Sequence, residues 1–189
     1  MSMLAEPWQR AEVSGTKKAL IINKPEIVTA MIKRAKRPIL VVGHQVAEME
    51  LNEQEKAIDR IIELAKAAEI PVVATAHITK EFFNRGFKPS SWMSAVEIGS
   101  RLQDSEWTGL DGKGAYDLAL FVGLPYYMEW VMLTGLKNFA SNLKTISLDR
   151  FYQPHANWSF PNLPIQKWDE QLKLIINLLK EKKEKEGTT

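Results

Sequence analysis

The sequence predicts an α/β protein: an open parallel sheet with helices on both faces. Three observations predict it. Short apolar runs rich in β-branched residues recur along the chain, helical patterns separate them, and the clearest run, in KRPILVVGHQ (36–45), is continuous rather than alternating. A strand covered on one face alternates apolar and polar residues, whereas one buried on both faces in a parallel sheet is apolar throughout. Strand–helix alternation of this kind closes into an open sheet, with ligands taken beyond the carboxyl ends of the strands, where the strand order reverses.

The elements follow in order. PEIVTAMIKRA (25–35) reads as a helix, with Pro25 suited to the first helical position and Ile27, Met31, Ile32 and Ala35 at helical spacing. Ile39 to Val42 is the first strand, closed by Gly43. A second helix is expected over 52–69, with Asn52 and Glu55 in a capping-box-like start and Ile58, Ile61, Ile62 and Ala65 as its buried stripe. Pro71 ends it and PVVAT (71–75) is the next strand. Residues from His77 to Ser91 read as a long aromatic loop, with a helix following over about 92–102. Then come a glycine-rich turn in WTGLDGKGAYDLALFVG (107–123), a strand from Asp117 to Val122, a helix over 126–139 and a strand over 143–149. An irregular stretch, RFYQPHANWSFPNLP, leads to a last helix with Trp168, Leu172, Ile175, Ile176 and Leu179 on one face. The division expected is an N-terminal arm (1–16), one domain (17–180) and a charged, solvated tail (181–189).

Composition narrows the function classes. A length of 189 residues suits one domain, and a net charge of +2 gives no basic excess for nucleic acid. No apolar run approaches the roughly 20 residues of a membrane span, and MSMLAEPWQR lacks a signal-peptide core, so a cytoplasmic protein is expected. The absence of cysteine excludes disulfides, a cysteine nucleophile and cysteine-held iron–sulfur clusters from this chain.

Local motifs point to no catalyst. After the first strand, Gly43-His44-Gln45 supplies one of the glycines that a dinucleotide fingerprint needs; the bland reading is a strand end that needs backbone room. The turn Gly109 to Gly114 holds Lys113, but a phosphate-binding loop follows its lysine with Ser or Thr at a helix start, and here a glycine and a strand follow. A turn that places Trp107 and Asp111 is the better reading. His44, His77 and His155 sit on separate loops, without metal-ligand spacing. Glu48/Glu50 and Glu53/Glu55 read as a solvated helix face. No catalytic residue and no metal ligand is therefore expected. Six tryptophans exceed what one modest core needs, and part of that surplus suits a protein interface.

The motifs AKRPILVVG, AAEIPVVAT, EWTGLDGKGAYDLALFVG, KNFA and LDRFYQPHANWSFPNL, taken in this order, resemble the epsilon subunit of the archaeal acetyl-CoA decarbonylase/synthase complex over about residues 25–175. The most specific positions are Trp107, Gly109 to Gly112, Gly114, Tyr116 and Asp117, with Arg150, Tyr152, Ala156, Ser159, Phe160, Asn162 and Leu163. The first two motifs also look like the central domain of thiamine-diphosphate enzymes, some of which hold FAD. The resemblance implies a six-stranded Rossmann-like sheet of the DHS-like NAD/FAD-binding type. It also implies a non-catalytic accessory subunit in an α2ε2 assembly with the alpha subunit of carbon monoxide dehydrogenase, whose nickel–iron–sulfur and iron–sulfur clusters oxidise CO. The suggested roles are stabilising that subunit and helping to pass electrons to FAD. No cofactor is expected to be held tightly. If FAD binds, the fold rule assigns its lining to Gly43, His44, Gln45, Thr75, Gly123, Leu124, Asp149 and Arg150. The alternatives are an empty scaffold with a structural role, or a stand-alone nucleotide-dependent enzyme.

Overall fold

The computed structural model describes residues 10, 11 and 17–186. Most of the expected N-terminal arm, including Trp8, lies outside the described residues, as do the last three positions. Seven strands form one all-parallel sheet: β1 (Leu20–Ile21), β2 (Pro38–Val42), β3 (Val72–Thr75), β4 (Ser91–Met93), β5 (Leu118–Val122), β6 (Lys144–Ser147) and β7 (Trp158–Ser159), in the spatial order β1-β7-β6-β5-β2-β3-β4. The expected six becomes seven. Two of the strands, β1 and β7, are only two residues long, too short to leave a run of apolar residues in the sequence.

Among the described residues, six α-helices connect the strands and a seventh follows β7: α1 (Pro25–Arg34), α2 (Gln45–Glu48), α3 (Ala57–Ala68), α4 (Thr79–Asn84), α5 (Ala95–Gln103), α6 (Tyr126–Phe139) and α7 (Ile165–Glu186). The aromatic segment after His77 is thus largely helical, with Phe82 fully buried. Asn52 caps no helix: its Oδ1 accepts from the backbone N–H groups of Gln54 and Glu55, closing a tight loop. α3 starts at Ala57, where the Asp59 carboxylate accepts from the Lys56 N–H at 3.0 Å. The expected charged tail is helical through Glu186.

Alternate residues of each central strand face opposite layers. Leu40, Val42, Leu118, Leu120 and Val122 pack with α1, α3 and α7, while Ile39, Val41, Ala119 and Phe121 pack with α5 and α6. Both layers are apolar, so β2 and β5 are buried almost completely, and each large side chain contributes roughly 1.5–3 kcal/mol of burial free energy. Trp168 is fully buried on the first face, and its indole N–H donates to the Leu148 carbonyl at 2.7 Å. Arg60 ties α3 to α7 through Asp169 at 2.7 Å and also pairs with Glu63 at 2.7 Å.

From β2 the chain steps outward through β3 and β4; from β5 it steps the other way through β6 and β7. The reversal therefore falls between β2 and β5. The glycine-rich turn lies at the opposite, amino end of the strands. There Arg37 bonds the Gly114 carbonyl and Asp111, and the Asp117 carboxylate accepts from the N–H groups of Lys36 and Arg37. Trp107 packs on Tyr116 with ring centroids 5.6 Å apart.

Candidate functional site

The reversal point is closed by backbone. A Cβ on Gly43 would stand 2.1 Å from the Gly123 carbonyl oxygen, so only glycine fits there. Gly123 has φ +75°, the left-handed region that glycine adopts without strain. The Gly43 N–H donates to Val122 O at 2.8 Å, and the Gln45 N–H donates to Gly123 O at 2.9 Å. The Gly123 N–H donates to both oxygens of Asp149, at 2.9 and 3.1 Å. The lone glycine of KRPILVVGHQ thus serves a backbone-to-backbone contact.

Of the eight residues assigned from the fold rule, all lie at carboxyl ends of β2, β3, β5 or β6. Gln45, Leu124, Asp149 and Arg150 line one cleft of about 110 Å³, together with Arg10, Met49, Tyr126, Phe151 and Gln153. Gly43 and Gly123 touch one another instead. His44 stands apart, with its ring centroid 6.2 Å from that of His77 and its Nε2 3.9 Å from Glu48. Thr75 is buried at the end of β3 and is absent from the cleft lining.

These residues do not fit an FAD pyrophosphate in the usual place. Dinucleotide folds receive it on free N–H groups at the start of the helix after the first strand. Here three N–H groups around that point are bonded within the protein, and α2 is only four residues long. A cleft of about 110 Å³ also holds only a few atoms of such a ligand. Among the described residues, no group of three His, Cys, Asp or Glu side chains is arranged to hold a metal ion.

Behind the cleft lies a polar cluster that the sequence reading missed. Glu129 on α6 is 0% exposed, yet neither of its carboxyl oxygens has a hydrogen-bond donor from the described residues. Burial first, and then the charge of Asp149, push its pKa well above the ordinary carboxylate range. Asp149 is also raised by burial, although the Gly123 N–H opposes the shift. Both carboxyls are thus held toward their protonated forms, Glu129 the more strongly, because burial and the neighbouring acid act on it together. His155 is 1% exposed, packs edge-on against Trp130 at 4.8 Å between centroids, and is pushed down to about 4 by burial. It is therefore neutral at neutral pH. Of nine buried side-chain polar atoms without a partner among the described residues, seven belong to Glu129, Trp130, Ser147, Gln153 and His155. One signal could have found the cluster: Glu129 is the sole acid of YYMEWVMLTGLKNF, a helix with little other charge. No solvent-borne substrate reaches a carboxyl so enclosed.

The fold and this site define a class: a Rossmann-like domain whose strand-reversal point is bridged by a backbone contact, with a small cleft beside it. The comparisons narrow it. The family described as CO dehydrogenase beta subunit/acetyl-CoA synthase epsilon subunit matches residues 1–179, and the chain belongs to that family. It is 43% identical to acetyl-CoA decarbonylase/synthase complex subunit epsilon 1 of Archaeoglobus fulgidus over 84% of this chain and 83% of the relative. It is 34% identical to the epsilon subunit of Methanothermobacter thermautotrophicus (86% and 89% covered) and 37% identical to that of Methanothrix soehngenii (83% and 81%). No helix among the described residues is long and apolar enough to cross a membrane.

Proposed function

We propose that the chain is a non-catalytic accessory subunit of the acetyl-CoA decarbonylase/synthase complex. In this reading it stabilises the alpha subunit of the carbon monoxide dehydrogenase component in an α2ε2 assembly in the cytoplasm. One observation carries the reading beyond family membership: the crevice where a fold of this type does its chemistry is occupied by the Gly43–Gly123 contact and by Asp149. The surface supports the same view. Between α5 and α6 runs a groove of about 460 Å³ lined by Val96, Met128, Val131 and Met132, with Val96 70% exposed and Val131 62% exposed. Apolar side chains contiguous at a surface are characteristic of faces that a partner covers.

The test is reconstitution with the nickel–iron–sulfur alpha subunit. Co-elution in gel filtration, with slower thermal loss of CO oxidation than for the alpha subunit alone, is expected; separate elution would sink the proposal. A role in passing electrons to FAD is compatible with it only if the flavin is held chiefly by the partner's surface. FAD added to this chain alone, up to high micromolar, is therefore expected to leave tryptophan fluorescence unquenched. Saturable quenching would reopen the crevice as a flavin site.

A further inference from the structure

The cleft at the strand ends carries two arginines arranged around one ring. The Arg10 guanidinium carbon lies 4.0 Å from the centroid of Phe151, and that of Arg150 lies 4.1 Å from the same centroid. Two planar cations at stacking distance cannot share one face, so they stand on opposite faces of Phe151. Arg10 is held there by its backbone N–H, which donates to the Tyr126 hydroxyl at 3.2 Å; that hydroxyl donates to Tyr152 O at 3.1 Å. Arg150 spends one N–H on Leu163 O at 3.4 Å. Among the described residues neither guanidinium has a carboxylate within ion-pair distance, whereas Arg37, Arg60, Arg85 and Arg101 all do. Guanidinium groups are matched in shape and charge to oxyanions, which they grip with paired N–H donors.

Charge and size narrow the ligand. Asp149 is the one acid among the residues that line the cleft, against the two arginines. Two cations against one anion leave a net charge of +1, suited to a monoanion. A cleft of about 110 Å³ has room for a small head group such as one carboxylate. The remaining walls, Met49, Leu124 and the Phe151 ring, suit methylene groups behind such a head. Gln153 lines the same cleft, but its Nε2 already donates to the Tyr126 carbonyl at 3.0 Å, so the charged donors left for an anion are the two guanidiniums.

We propose that this cleft is a receptor for one carboxylate of a partner polypeptide, an acidic side chain or a chain terminus, clamped by Arg10 and Arg150 across Phe151. The proposal rests on the accessory-subunit reading, for which it names a point of attachment. It makes Arg10, outside the folded sheet, a determinant of assembly.

Two arms test it, on the whole chain. In the first, melting temperature is followed in sodium acetate against sodium chloride at equal ionic strength, for wild type, Arg10→Gln and Arg150→Gln, with inorganic phosphate and FAD as comparison probes. Acetate is expected to raise the wild-type melting temperature saturably and to lose that effect in both variants. An equal response in Arg10→Gln, a larger response to phosphate or FAD, or no response at all overturns the proposal. Should Arg150→Gln fold poorly, Arg10→Gln decides alone, since its side chain makes no hydrogen bond or ion pair among the described residues. In the second arm, Arg10→Gln is mixed with the alpha subunit. Removing one partner of a desolvated charge pair is expected to weaken assembly by roughly tenfold or more, mostly in dissociation rate. Unchanged assembly overturns this site but leaves the subunit reading standing. A wild-type chain that fails to assemble overturns the subunit reading, and the acetate arm still judges the cleft.

Discussion

Replacing Glu129 by Gln isolates the buried proton. The wild-type carboxyl is fully enclosed, without a donor, and faces Asp149, so it titrates well above an exposed glutamate. A group whose folded pKa is raised leaves the native state holding more protons than the unfolded chain. Stability is then lost as pH rises, from the ordinary glutamate value of about 4.3 up to the folded value, with a slope approaching about 1.4 kcal/mol per pH unit. His155 acts in the opposite sense: its folded pKa is depressed to about 4. The unfolded chain then holds more protons up to about 6.5, and stability rises with pH across that window. Above about 4.3 the two effects oppose, so the wild-type profile rises less steeply than His155 alone would make it. The glutamine side chain is close in shape, does not titrate, and can donate its N–H to Asp149. In the variant the Glu129 contribution is gone, so stability should rise more steeply toward pH 6.5 than in the wild type. Between the ordinary glutamate value and the folded pKa of Glu129, the two proteins should diverge by up to about 1.4 kcal/mol per pH unit, or roughly 3–6 °C in Tm for a chain of this size. Thermal and urea unfolding at half-unit steps from pH 4.5 to 8 measure this. Parallel profiles for the two proteins would refute the reasoning.

Three further outcomes are expected together. Gly43→Ala drives a Cβ to 2.1 Å from a backbone oxygen that no rotamer can move, and should cost about 3 kcal/mol or more in urea unfolding. Arg60→Met leaves Asp169 with only Lys173, at 2.6 Å, and should cost about 2 kcal/mol, less than a fully orphaned buried charge; Asp169→Leu added to it should recover part of that loss. Trp168→Phe strips the Leu148 carbonyl of its donor and opens a small void, for about 1–3 kcal/mol, read as a lower urea midpoint at constant slope.

Much of the scaffold was legible because apolar period and burial coincide. In α6 and β5 the expected and observed bounds agree to within a residue, and Gly123 and Pro125 mark the junction between them. β7 was hidden because WS sits in a stretch of prolines and polar residues, and its strand character comes from Ser147 and Ile146 pairing with it across the sheet. The start of α3 was misread because Asn52 and Glu55 form the same local hydrogen bonds in a closed loop as they would at a helix cap. At the candidate site, Asp149 and Arg150 were placed by the fold rule. Phe151 was not singled out, because stacking between two arginines is decided by where the chain after β6 turns. Glu129 was missed because a lone acid in a helix ordinarily faces water, and only the packing of α6 on β6 shows that this one does not.

The edge formed by β1 and β7 sets a timetable for the ribosome. β1 has a single neighbour, β7, and the Tyr152 hydroxyl donates to Ala19 O at 2.7 Å from the same late segment. Residues near the start of the chain therefore find their place only once those beyond 150 have emerged. Until then β6 presents an open border, the kind of edge through which nascent chains pair with strangers. The anchor of Arg10, through Tyr126 to the Tyr152 carbonyl, therefore forms only after the segment beyond 150 has emerged.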